Sequence, residues 1–247
     1  MTRHIVWIDG VASVMAAAFY LQTWPEALLV TCRTGSEDED NLRFHDDVQR
    51  RLNREIIVLK NEDYEDTMSV WKKKRYISGI AGAPCTGDLK IWPRLQFQQD
   101  GDVHVFGYTS DGNDQKRYRN FLANYPDLTV VVPLIERGIS KANCRALAQD
   151  MGLKEPRSYD MGFPNANCLK YGCGKATSPG YWALHRIHFP EGHAEMARFS
   201  REIGCRLVEL NGERIFLDEL PLDFPPRDPV APACDFLCHI NGQDLAA

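Results

Sequence analysis

Short continuous apolar runs separated by longer amphipathic stretches set the pattern of the first two-thirds of the chain. Ile5-Val6-Trp7-Ile8 is the first run, and Asp9-Gly10 leads from it into Ala12 to Leu21, rich in Ala and Met and long enough for a helix. Ala27 to Cys32 is a second run. Asp38 to Leu52 then sets Leu42, Val48 and Leu52 among charges, with acids early and arginines late, as a helix dipole favours. Ile56 to Leu59, Val103 to Tyr108 and Leu128 to Pro133 read as three more strands. Lys116 to Tyr125 and Ser140 to Met151 read as helices, the latter capped by Ser140. Strands that are apolar throughout and alternate with helices predict a parallel sheet covered on both faces. The expected architecture is a doubly wound α/β domain over residues 1–155.

From about Glu155 the pattern changes, and residues 156–247 form a distinct Cys-containing region. Asn, Gly, Cys and Pro gather between Gly162 and Pro179, followed by Tyr181 to Phe189 and a helical stretch from Gly192 to Ile203. Arg214 to Leu220 reads as a strand or ordered arm. The tail carries Pro221, Pro225, Pro226, Pro229 and Pro232, which continue neither helix nor sheet. It closes on Cys234-Asp235-Phe236-Leu237-Cys238, and stiff extended chain of this kind can carry Cys238 back across the domain.

Composition narrows the function classes. With 44% hydrophobic and 26% charged residues in 247, the chain is an ordinary globular protein, and wholesale disorder is excluded. Acids outnumber bases by 34 to 29, so duplex DNA is not wrapped by bulk electrostatics, and any nucleic acid must meet a local patch. The apolar stretch from Val11 to Leu21 is too short to span a bilayer, and Asp9 in place of a basic leader argues against a signal peptide. A cytoplasmic protein without membrane attachment is expected.

Ligands of open parallel sheets bind outside the carboxyl ends of the strands, so the residues after each predicted strand are the first candidates. Asp9-Gly10-Val11-Ala12-Ser13 opens a helix whose amides, with the Ser13 hydroxyl, can hold a phosphate; a bland strand-to-helix turn reads the same way. In Thr31-Cys32-Arg33-Thr34-Gly35-Ser36-Glu37, glycine admits close backbone approach and Glu37 can meet ribose hydroxyls or cap a helix. Gly107-Tyr108-Thr109-Ser110-Asp111 is the third such turn.

Eight cysteines in a reducing compartment point to metal binding or thiol chemistry. Cys32, Cys144 and Cys205 lie in apolar or helical surroundings and read as small buried hydrophobes. Cys85, Cys168, Cys173, Cys234 and Cys238 sit beside Pro, Gly and Asn, where loops bring ligands together. The spacings C-x4-C and C-x3-C permit a metal site without specifying one. Lys72-Lys73-Lys74-Arg75 and Lys90 would favour thiolate at a nearby Cys85. The same basic run is either a solvated helix end or an anion platform, to which Arg117 and Arg119 could add. His185 and His188, three apart, read as surface or satisfied core residues.

Together these motifs resemble the adenine nucleotide α-hydrolase superfamily and, within it, the phosphoadenosine phosphosulfate (PAPS) reductase-like proteins, especially a group frequent in phage and prophage genomes. The resemblance runs over nearly the whole chain. It rests on Thr34-Gly35-Ser36-Glu37, on Pro84-Cys85-Thr86 with Leu89-Lys90, and on the Gly107 turn. Pro133-Leu134-Ile135 and Asn167-Cys168 through Cys173 to Gly180-Tyr181-Trp182 complete it. One departure is in the first turn, where the family's serine- and glycine-rich pyrophosphate loop is reduced to Gly10 and Ser13, with Asp9 beside them. Fewer glycines lessen the backbone's freedom to form a nest of amide donors.

The resemblance implies a Rossmann-like fold that binds an adenine nucleotide, ATP or PAPS, and reduces or transfers sulfur. It implies phosphate at Gly10 and Ser13, nucleoside beside Thr34, Gly35, Glu37 and Gly107, and the anionic leaving part on Lys90 and Arg75. Cys85 would stand at the reacting end, with Lys90 as its catalytic companion. A [4Fe–4S] cluster is implied on Cys85, Cys168, Cys173 and one of Cys234 and Cys238, with zinc as the alternative. All five thiols would then crowd one pocket. A thioredoxin-like reductant, a nucleic acid undergoing thiolation, and a homodimer are the implied partners. The altered first turn also fits a binding or regulatory protein that kept the fold without turnover.

Overall fold

The computed structural model describes residues 2–79, 82–166 and 168–227. In chain order the elements are β1 (His4–Trp7), α1 (Val11–Tyr20), β2 (Leu28–Cys32), α2 (Asp40–Leu52), β3 (Ile56–Leu59), α3 (Thr67–Lys74) and α4 (Pro84–Thr86). A π-helical turn, Gly87–Ile91, joins α4 to α5 (Trp92–Phe97). Then come β4 (Val103–Val105), α6 (Gly112–Asn124), β5 (Thr129–Val131), α7 (Pro133–Glu136), α8 (Lys141–Asp150), α9 (Arg157–Asp160), α10 (Pro179–His188) and α11 (Pro190–Glu202). A hairpin of β6 (Val208–Leu210) and β7 (Glu213–Ile215) and a 3-10 turn, Leu217–Glu219, follow. Among the described residues no helix is long and apolar enough to cross a membrane.

These elements form two compact units. The sheet unit comprises the chain up to Arg33, Asp40–Lys60 and Pro93–Pro156; the helical unit comprises Thr34–Glu39, Asn61–Trp92 and the chain from Arg157 on. All five strands of the first unit are parallel, in the order β3-β2-β1-β4-β5. That is the doubly wound, Rossmann-like α/β fold. The order reverses between β1 and β4, and such a switch point leaves a crevice at the carboxyl ends of the two strands. Apolar runs became strands because both faces are covered: Ile5, Val6, Leu29, Val30 and Val105 are all buried. At the opposite end Arg3 clamps Asp102 through two hydrogen bonds of 2.9 and 2.6 Å.

The helical unit folds around aromatic rings. Trp71, Ile77, Phe163, Tyr171, Tyr181, Trp182, Met196 and Phe199 share one buried core, with Cys173 inside it and Cys85 half-buried against it. Ser178 caps α10 by accepting the Tyr181 amide, and Pro179 takes the first helical position, where its missing N–H costs nothing. Asn211-Gly212, both at positive φ, make the two-residue turn between β6 and β7. Where Arg214 to Leu220 read as one strand or arm, the chain is a short strand followed by a 3-10 turn. Pro84 to Phe97, read in part as loop, is helical throughout, opened by Pro84 at its first position.

Candidate functional site

In the sheet unit the turns after β1 and β4 touch backbone to backbone. A side chain on Gly107 would place its Cβ 2.4 Å from Ser13 Cα and 2.5 Å from Ser13 N, so only glycine fits. Gly10, Ser13 and Gly107, predicted as phosphate and nucleoside neighbours, are thus gathered at the strand ends. The Ser13 hydroxyl, however, faces its own turn. It accepts the amides of Asp9 (2.8 Å) and Gly10 (3.1 Å) and donates to the Gly10 carbonyl (2.7 Å). A phosphate taking those amides would have to displace this hydroxyl. Beyond Gly107, buried Thr109 donates its amide to Asp114 and sets its hydroxyl within 3.1 Å of Asp111 and 2.8 Å of Asp114. Arg117, a candidate anion clamp, already pairs with Asp114 at 2.7 Å. Cys144 is fully buried, and burial, helped by Asp111 and Asp114, pushes its thiol up to about 11, which makes it inert.

In the helical unit the Thr34-Gly35-Ser36-Glu37 turn is built from hydrogen bonds that sequence spacing only hinted at. Thr34 donates its amide and its hydroxyl to Glu37 Oε1, at 2.7 and 2.8 Å. Cys168 Sγ lies 3.0 Å from the same hydroxyl oxygen. With the Thr34 proton committed to a carboxylate, which can only accept, the thiol is the donor across that contact. Gly35 stands at φ +71°, and a Cβ there would meet the Glu65 carbonyl oxygen at 2.0 Å. Ser36 ties the turn to two other segments. Its carbonyl accepts the Leu169 and Lys170 amides (2.9 and 3.0 Å), and its hydroxyl meets Thr67 at 2.8 Å.

Asp66 extends this polar network. It caps α3 through the Ser69 amide and receives Lys170 Nζ and the Tyr171 hydroxyl, each at 2.9 Å. Burial alone would raise its carboxyl, but the bonds from Lys170, Ser69 and Tyr171 outweigh burial and hold it below the usual carboxylate range. Asp38, 5% exposed, is gripped by Arg157 through two hydrogen bonds of 2.8 and 2.7 Å. The capping signature Asp66-Thr67-Met68-Ser69 is a signal sequence reasoning could have used. The partners Lys170, Tyr171 and Arg157 lie roughly a hundred residues from Asp66 and Asp38, and no local pattern marks them.

The basic run is engaged rather than open. Lys72 pairs with Glu195 at 3.0 Å, Lys73 stands 4.7 Å over the Tyr64 ring, Lys74 lies 3.6 Å from Asp88, and Arg75 pairs with Glu202. These are exposed contacts, weak enough for an anion to replace. Lys90 is different: it is 6% exposed, carried on the π-helical turn that Asn61 braces through the Asp88 carbonyl at 3.0 Å. π-turns of this kind recur at functional positions.

No protein-family model matches the chain, and no curated protein matches it. Among solved structures it is similar to phosphoadenylyl-sulfate (PAPS) reductase from Candida auris in a phosphate complex. The TM-score is 0.52 at 12% identity, covering 68% of this chain and 82% of that one. The fold is PAPS reductase-like.

The cysteines divide in three ways. Cys168 is buried on Thr34; Cys173 is buried in the aromatic core, its amide donating to the Tyr181 hydroxyl at 2.9 Å; Cys85 is half-buried in the first turn of α4. Cys32 and Cys144 are buried as expected, whereas Cys205 is only half-buried. Among the described residues no three His, Cys, Asp or Glu side chains are gathered so as to hold a metal ion. Cys85, Cys168 and Cys173 therefore do not by themselves fit a four-thiolate cluster or a zinc site. Asn167, Cys234 and Cys238 lie outside the described residues. His185 is fully buried and His188 is exposed, so one is a core and one a surface residue.

Proposed function

We propose that the protein binds an adenine nucleotide at its strand-end turns and performs sulfur reduction or transfer with cysteine thiols. The observation that carries this reading is the Cys168–Thr34–Glu37 chain, which gives a thiol proton a hydrogen-bonded route to a carboxylate within the turn that follows β2. The PAPS reductase-like fold supports the nucleotide part, as does the contact between Gly107 and Ser13 at the switch point. In the proposed reduction a thiolate attacks the sulfonyl sulfur of a sulfonucleotide. An S–S bond forms while the S–O bond to the nucleotide phosphate breaks and the nucleotide leaves. A second thiol, from the chain or from a dithiol reductant, then displaces sulfite and leaves a disulfide, so the two thiols supply both electrons. Lys90 is assigned to the anionic leaving part, with Arg75 joining it on release from Glu202, and Cys85 to the reacting end.

A second reading, a nucleotide-binding or regulatory protein without turnover, is favoured by the closed Ser13 turn. Calorimetry with ATP, PAPS and AMP on anaerobically purified protein, followed by a sulfite-release assay with a dithiol, separates the two. The sulfur-chemistry reading expects PAPS to bind and sulfite to appear, with Thr34→Val and Glu37→Gln each slowing release by about tenfold or more. Binding without sulfite supports the second reading, and no binding of any nucleotide overturns both. The visible spectrum and metal content of the same sample test the cluster, whose chromophore would bring Cys234 or Cys238 into the site.

A further inference from the structure

In the helical unit, α10, α11 and the segment around Leu217 and Leu220 border a groove of about 620 Å³, within the range of small-molecule sites. Its floor is apolar, made by Ala194, Ala197, Leu217 and Leu220. Its charges do not cancel. Arg201 pairs with both Asp218 and Glu219, whose second negative charge also feels Arg206, and Glu202 pairs with Arg75. Arg186 spends its guanidinium on the carbonyls of Leu220, Pro221 and Leu222, at 3.1, 2.9 and 2.9 Å, which fixes that segment without a counter-charge. Arg198 is exposed on the rim and makes no ion pair among the described residues.

A second polar group faces the same space. His193 lines the groove, is 7% exposed, and leaves Nδ1 buried without a hydrogen-bond partner. Its ring stands edge-on to Trp182 at 6.0 Å and 5.7 Å from His185. Burial first, then the charge of Arg186, hold it down at about 4, so near neutrality it is an uncharged donor and acceptor. Two guanidinium charges without carboxylate partners, beside an apolar floor, are complementary to a molecule with an aliphatic body and one negative head.

We propose that this groove binds a small amphipathic anion, an alkyl carboxylate whose chain covers the alanine and leucine floor and whose head meets Arg198 beside His193. The proposal uses neither the strand-end turns nor the cysteines, and its test contains no nucleotide, so that Arg75 stays on Glu202. Titration calorimetry of the full chain with decanoate, held below its micelle-forming concentration, should give saturable one-to-one binding. Decanol and decyltrimethylammonium should bind at least about tenfold more weakly, the scale of one lost charge-assisted hydrogen bond. Arg198→Ala, an exposed change that spares the core, should weaken decanoate by a similar factor. Ala194→Trp, at another exposed position, should abolish binding by filling the groove. Equal binding of decanol, undiminished binding in Ala194→Trp, or no saturable binding overturns the proposal. So does a concentration-dependent dimer in ultracentrifugation that Ala194→Trp dissociates, since the groove then belongs to a second copy of the chain.

Discussion

The two units of this molecule keep their order in different ways. In the sheet unit, order is local and periodic: apolar runs become parallel strands, and consecutive strands lie beside one another except β3 and β4, which the β1–β4 switch separates. In the helical unit, order comes from contacts between segments far apart in the chain. Ser36 holds Leu169 and Lys170, Asp38 holds Arg157, and Asp66 holds Lys170 and Tyr171. Periodicity builds a scaffold that tolerates change in its loops, whereas a polar network around a discontinuous core fixes particular side chains at particular distances. The thiol contact of Cys168 with Thr34 belongs to the second kind of order.

Glycine substitutions should test this contrast most severely. Gly107→Val strikes a backbone contact between neighbouring strand ends of the sheet unit, and Gly35→Val strikes the Glu65 carbonyl in the helical unit, at a positive φ that valine rarely adopts. Each should cost more than about 4 kcal/mol, the range in which marginal domains unfold. Urea unfolding followed by hydrogen exchange measures it. The comparison predicts that protection lost in Gly35→Val is concentrated in the segments tied to Ser36 and Asp66. Uniform loss across β1, β2 and β4 in the same variant would show that the two kinds of order are not separate.

The same contrast explains what was legible in the sequence. The strand runs Ile5–Ile8, Ala27–Cys32 and Ile56–Leu59 and the Ser140 cap could be read because hydrophobic period and capping act over a few residues. The Thr34–Glu37 turn was picked out through a motif, yet the contact of Thr34 with Cys168 was not, since a contact across 134 residues leaves no spacing to read. Lys72 to Arg75 could be read as a solvated helix end or as an anion platform, and the ion pairs that engage them could not be foreseen, because Glu195 and Glu202 are equally remote. The helical course of Pro84 to Phe97 was obscured by Pro84, Gly87 and Pro93, each a breaker in isolation. Pro84 opens the helix, and the π-helical turn spans Gly87 to Ile91 just before Pro93.

Acid should separate the units by a smaller margin. Burial lowers His185 to about 3 and His193 to about 4 in the helical unit, and His104 to about 4 in the sheet unit. A ring whose folded pKa is depressed refuses the proton that the unfolded chain accepts below about 6.5, so its stability contribution is full above that value and is lost as pH falls. Between pH 7 and 5 each ring should cost about 2 kcal/mol, so the helical unit, with two, should weaken more than the sheet unit, with one. His185 also holds the Leu169 carbonyl through Nε2 at 2.7 Å, and the acceptor there requires that nitrogen to carry the proton. Hydrogen exchange at the two pH values, corrected for intrinsic rates, should show α10 and residues 169–173 losing protection first. His185→Gln, which keeps a donor without titrating, should flatten that dependence. Earlier loss around β4 would reverse the ranking.

Ser13 should give the smallest effect and the most pointed one. Its hydroxyl satisfies the Asp9 and Gly10 amides, so Ser13→Ala should cost about 1 kcal/mol, the ordinary value of a helix cap. That loss is confined to one turn of the sheet unit and should leave the acid response of the helical unit unchanged. Its effect on ligand binding has a sign that depends on where a phosphate sits. Should a nucleotide phosphate occupy the position of the hydroxyl, the alanine variant has two amides already vacated, and affinity for ATP or PAPS should rise or hold. If the hydroxyl instead contacts the phosphate directly, affinity should fall by about tenfold. Calorimetry beside urea unfolding on this one variant therefore decides whether the turn would open for a phosphate or meet it as folded.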